Sequence, residues 1–153
     1  MIKSILNKIT KHLPKFTIIT DGERYLSRFY PLLKDRDFGN IYIHHFHRSD
    51  LDQGEKGFGL LHNHPWPWAF SIVLVNGYME ERRTSTGNVI VKLVKPGDIN
   101  FLTHHDYHRV QLLGEDAWSI FITGPRKPNM DWYFWDRVSN VYTHWKNKPG
   151  AIA

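Results

Sequence analysis

The sequence predicts an all-β domain, a sandwich or closed barrel, with one short helix at its start. Three observations carry this. Short β-rich runs recur at close, regular spacing with Gly, Pro, Asn or Asp turn signals between them. Helical periodicity is confined to the first residues, where Ile2, Ile5, Leu6, Ile9 and Leu13 recur near helical spacing. A length of 153 residues suits one domain, large enough to bury its own core. Residues 1–153 are therefore read as a single domain.

The elements follow in order. Pro14 ends the first helix, since it lacks an amide donor, so residues 1–14 are an amphipathic helix packed on the domain. "KFTIIT" is a strand and Asp21-Gly22 a turn. "RYLSRFYPLL" fits strand or helix, with Pro31 against a long helix. "GNIYIHHFHRS" alternates as a strand, and "DLDQGEKGFG" is a polar, glycine-bearing loop. "FSIVLVNGYMEERR" is a long β-rich run around Asn76-Gly77. A strand follows between turns at Gly87-Asn88 and Pro96-Gly97. "INFLT" and "HRVQLL" flank "HHDY", and "WSIFITG" follows the turn "GEDA". The barrel is expected over 15–124. Residues 125–153, rich in Trp, Tyr and Phe, form an extension that covers one barrel end or serves as a dimer face.

Composition narrows the function classes. Cysteine is absent, which removes disulfides, thiolate ligands and a cysteine nucleophile. The N-terminus has no uninterrupted apolar run, so no signal peptide is expected. No stretch approaches the ~20 apolar residues of a membrane span. The expectation is a soluble, cytoplasmic protein without a membrane partner. The formal charge is +5, but lysines and arginines form no block, and no helix-turn-helix, zinc-finger or RNP pattern is evident. A small-molecule ligand is expected in preference to nucleic acid.

Histidine use is less ordinary. Eight of ten histidines lie between residues 44 and 108, in the clusters "HHFH", "HNH" and "HHDYH". Histidine is both a titrating base and the commonest metal ligand. In an extended strand His62 and His64 point the same way. His45 and His47 also share a face, either the barrel interior or its outside. Three neutral imidazoles would suit iron(II), nickel, copper or zinc.

"PGDINFLTHHDYHRV" resembles the second motif of the cupin superfamily, with Pro96-Gly97-Asp98 as its turn and His108 as its histidine. His62, His64 and Gly77 fit the first. The resemblance extends to a group of small bacterial and phage cupins, through His62-Asn63-His64-Pro65-Trp66, Gly77-Tyr78-Met79-Glu80 and Thr123-Gly124-Pro125-Arg126. It implies a double-stranded β-helix, or jelly-roll barrel, with His62, His64 and His108 converging inside on a divalent transition metal. One feature departs from the pattern. Where most metal-binding cupins supply a glutamate, residues 68–71 are Trp, Ala, Phe and Ser. The site is then three-histidine or takes a fourth ligand from elsewhere. His104 is the first candidate, and Glu80 and the 44–47 cluster follow.

Around the metal, Trp66, Trp68 and Phe70 are candidates for a substrate-pocket wall or for core. Arg126 is a candidate fork for a substrate carboxylate or phosphate, or a structural salt bridge to Asp50 or Asp98. His45 and His47 join the substrate-binding candidates. The function classes are a metal-dependent, dioxygenase-like enzyme acting on a small molecule, a metal-dependent isomerase or hydrolase, and a non-catalytic ligand-binding module that could serve in phage–host conflict. A homodimer is compatible with each.

Overall fold

The computed structural model describes residues 1–20, 22–32, 38–50 and 57–147. The helix α1 spans Ile2–Thr10. The strands are β1 (Lys15–Thr20), β2 (Glu23–Phe29), β3 (Asn40–Phe46), β4 (Leu61–His62), β5 (Trp68–Val75) and β6 (Tyr78–Arg83). They continue as β7 (Val89–Val94), β8 (Ile99–Thr103), β9 (His108–Leu112), β10 (Ala117–Thr123), β11 (Tyr133–Trp135) and β12 (Tyr142–His144). "RYLSRFYPLL" resolves in favour of strand β2, and Pro31 lies beyond its end. Most of the loop "DLDQGEKGFG", residues 51–56, and Asp21 of the first turn lie outside the described residues.

Two six-stranded antiparallel sheets face each other. One runs β1-β2-β3-β10-β5-β8 and the other β12-β11-β4-β9-β6-β7. Alternation decides what each strand turns inward. On β3, Asn40, Tyr42 and His44 are buried, while Ile41, Ile43 and His45 between them are only partly so. The barrel has two apolar regions. Tyr42, Trp66, Ala69, Leu102 and Phe121 pack together at one. Val73, Tyr78, Val94 and Val110 join both sheets at the other. Where the chain crosses from β5 to β6, Gly77 adopts φ +99°, and a Cβ there would meet the Val94 carbonyl oxygen at 2.4 Å. Only glycine fits this corner.

The helix α1 lies on the outer face of the first sheet. It has no side-chain N-cap and no acidic residue in its first turn. Nine residues are too few to be stable alone, so packing must hold it. Leu6 supplies that packing against Phe29 and Trp118, worth about 1.5–3 kcal/mol.

Strand formation does not stop at residue 124. Within the aromatic extension, β11 pairs with β4, and β12 pairs with β11. The extension thus completes the second sheet, because the two-residue strand β4 would otherwise have an open edge.

Candidate metal centre

Strand β4 lies between β9 and β11, with His62 directly opposite His108 on one side and Phe134 on the other. His64 follows two residues later, and Pro65, with no amide to donate, helps end the strand there. The buried residue between them works as a clamp. Asn63 donates from Nδ2 to the His104 carbonyl (3.0 Å), and its Oδ1 accepts the Tyr133 amide (2.7 Å). Both histidines are thereby aimed at the interior. Ring centroids of His62, His64 and His108 are 5.0–5.2 Å apart. One nitrogen from each falls within 4.8 Å of the others.

Supporting groups orient the rings. Glu80 is fully buried (0 % exposed). It accepts from His108 Nδ1 at 2.7 Å, Asn100 Nδ2 at 2.9 Å and Arg82 Nη2 at 3.0–3.1 Å. Burial alone would raise its pKa. The bond from His108, the charges of His108 and Arg82 and the Asn100 bond outweigh burial and hold it at about 2. An ionised carboxylate only accepts, so His108 Nδ1 carries a proton, and in the neutral imidazole Nε2 then presents the lone pair. That Nε2 lies 2.9 Å from His64 Nε2. Two nitrogens bound at right angles about 2.1 Å from one ion would be about 3 Å apart. His62 Nδ1 is 4.0 Å from the buried carboxylate of Asp50, which accepts the Val110 amide at 2.7 Å. His64 is held well below the ordinary histidine pKa by burial, then by the charges of His108, His62, Arg28 and His44. This donor set, with a buried carboxylate behind His108 and His64 kept neutral, fits a divalent transition ion.

The remaining predicted residues divide. Trp66 is buried in the cavity wall and stacks on His64 at 5.7 Å. His104 is outside the three-imidazole group. Its Nδ1 bonds the His64 carbonyl at 2.7 Å, so it braces the main chain of a ligand. His45 and His47 face outward. His45 stacks on Trp118 (3.9 Å) and bonds Asp116 (3.0 Å), and His47 bonds Ser27 (2.8 Å). Parity on β3 sends His44 inward instead. Trp68 is 38 % exposed and stacks on Phe70 at 6.2 Å on the outer face. Of the two tryptophans, Trp66 lines the cavity beside the triad and Trp68 does not. Arg126 stands on the cavity rim and pairs with Asp131 at 3.8 Å, not with Asp50 or Asp98.

The cavity beside the triad has a volume of about 580 Å³. Its wall includes Arg28, Tyr42 and Phe121, which did not stand out in the sequence, His44, which the sequence offered only within the 44–47 cluster, and Trp132 and Phe134 of the aromatic extension. Parity along β3 could have found Tyr42 and His44. Arg28 was hidden because its segment read as strand or helix. It now lies over the Tyr42 ring (4.9 Å) and the Trp66 ring (5.7 Å). Burial lowers its pKa, opposed by Tyr42 and Tyr30.

No protein-family model and no curated protein matches the chain. Solved structures do resemble it. Fe(II)-HppE with an alternative substrate superposes with a TM-score of 0.55 at 14% identity, over 74% of this chain and 57% of that one. The chain therefore spans little more than half of that neighbour's length. A double-stranded β-helix protein from Klebsiella pneumoniae subsp. pneumoniae gives a TM-score of 0.52 at 17% identity, over 79% and 91% of the two chains. A cupin-2 domain from Rhodospirillum rubrum gives 0.52 at 10% identity, over 75% and 72%. The fold is a cupin-type double-stranded β-helix. It brings together His62, His64 and His108, a group that could hold a metal ion.

Proposed function

We propose that the protein is a metal-binding cupin acting on a small molecule, with His62, His64 and His108 holding a divalent transition metal, and that its chemistry is dioxygenase-like. The observation that supports this reading is the convergence of three imidazole nitrogens within 4.8 Å on the wall of a cavity. Iron(II) held there would supply redox chemistry toward dioxygen; zinc, nickel or copper are the other ions the donor set would accept.

The chain's own residues do the rest. Glu80 keeps the Nδ1 proton of His108 in place, so Nε2 stays available. Asn63 holds both neighbouring histidines in register. Trp66, Phe121 and Phe134 make an apolar wall that excludes water from the reacting groups and strengthens electrostatic contacts there. Metal analysis of the purified protein, with anomalous scattering at the site, tests the reading. One bound equivalent is expected between the three rings, and a metal-free protein would overturn it. Oxygen uptake coupled to substrate loss is the expected signature of the reaction. Anaerobic turnover would assign a Lewis-acid enzyme, and ligand retention without turnover a binding module.

A further inference from the structure

The triad occupies one side of the cavity, and the opposite sheet carries a second polar feature. Arg28 on β2 pairs directly with His44 on β3, and His44 pairs directly with Ser119 on β10. All three line the cavity. They form one row across three adjacent strands, facing inward. Arg28 Nε donates to His44 Nε2 at 3.2 Å, so the neutral imidazole carries its proton on Nδ1. No carboxylate faces Arg28 among the described residues. Its surroundings are the rings of Tyr42 and Trp66 and the Tyr30 side chain. Ser119 Oγ is buried without a hydrogen-bond partner. So is Trp132 Nε1, whose ring lies 6.0 Å from that of His62.

A cation half-buried among aromatic rings with no counter-ion among the described residues, and buried polar atoms without partners, are costly. Folded proteins rarely keep such groups unless a ligand or ordered water answers them. Here they line one cavity, between aromatic walls. Resting on the reading of this cavity as a ligand site, we propose that it takes a small organic acid. The anionic head group lies on Arg28 and the Ser119 hydroxyl, and an apolar body runs along the aromatic wall toward the triad. The guanidinium fork suits a carboxylate, phosphonate or phosphate, and Tyr42 and Trp66 hold its plane. Arg126, already paired with Asp131 at the rim, is not the anchor.

Tryptophan fluorescence or calorimetry would be titrated with benzoate, phenylphosphonate and inorganic phosphate, using benzamide as the neutral isostere. Each titration is run first in chelator and again after zinc loading, with metal content measured separately. The chelator arm isolates Arg28 from any direct contact of the anion with metal. Wild type should saturate with at least one acid and bind benzamide at least ~10-fold more weakly. Arg28→Gln should lose ~10-fold or more in that affinity while its zinc stoichiometry stays unchanged. Arg28→Lys, which keeps the charge and loses the fork, should fall between, and Arg126→Gln should match wild type. Preference for benzoate over phenylphosphonate, or the reverse, identifies the head group. Absence of saturation by any acid, equal binding of benzamide, or an Arg28→Gln protein that binds like wild type overturns the proposal. Anion binding in a protein that takes up no zinc would remove the metal reading and leave this one standing.

Discussion

His44 and His45 are neighbours in the chain and opposites in surroundings. His44 faces the cavity, bonded to Arg28. His45 faces outward, stacked on Trp118 and bonded to Asp116, which Lys3 of α1 also reaches at 2.8 Å. The contrast extends to the two groups of close imidazoles. The rings of His45 and His47 are 4.1 Å apart, nearer than any two rings of the triad. Yet their partners are Asp116 and Ser27, and no third ligand joins them among the described residues. In the triad, Glu80 accepts from His108, the Asp50 carboxylate lies 4.0 Å from His62, and one nitrogen of each ring converges on the others. Proximity of histidines therefore does not make a metal centre. Convergent lone pairs with support behind them are what a metal centre needs.

Substitutions can break this contrast, beginning with its largest element. His108→Ala should reduce metal content to background after dialysis against a chelator, with far-UV circular dichroism unchanged. His45→Ala in the same assay should keep one equivalent. Equal loss in both would erase the distinction between the inner and outer groups.

Next comes the support behind a ligand. Glu80→Gln keeps the shape but offers His108 Nδ1 a group that need not accept. Metal affinity should fall about 10–100-fold, read by competition with a chelator of known strength. Unchanged affinity would mean that the tautomer of His108 is set by something else.

The outer pair makes its own prediction through pH. Burial holds His47 at about 4, against an ordinary 6.5, aided by the charges of His45 and Arg24. Between those values the unfolded chain binds the proton and the folded one does not. Stability from this residue is therefore complete above pH 6.5 and is lost as pH falls toward 4. Unfolding of metal-free protein in urea should show a shallower decline over that window in His47→Gln than in wild type. Parallel declines would place the acid sensitivity elsewhere, for example in His44, which burial and Arg28 also hold well below 6.5.

The smallest effects are expected at the turn before β9. His105 is exposed and His104 bonds a carbonyl, so His105→Ala and His104→Ala should both retain one metal equivalent. His104→Ala alone should show a modest loss of affinity, since His64 loses its brace. Complete metal loss in that variant would restore His104 as a fourth ligand.

Much of this was legible in the chain itself. Turn residues and alternation marked the strands from β3 to β10, because hairpin corners demand Gly, Asn and Pro and half-buried strands demand alternation. His62 and His64 were legible because strand parity operates within three residues. Parity also limited what could be read. It placed His45 and His47 on a common face without saying which face. The extension's aromatic residues were visible, but their pairing beside His62 was not.

Local rules of period and turn chemistry thus determined, from the sequence alone, an all-β domain with one N-terminal helix and two histidines aimed together. Tertiary structure decided which face was inward, that Glu80 stands behind His108, and that Arg28, His44 and Ser119 form one row. Those contacts join residues 16 to 75 positions apart. They depend on sheet order and register, which are set by the packing of the whole barrel and not by any short stretch of chain.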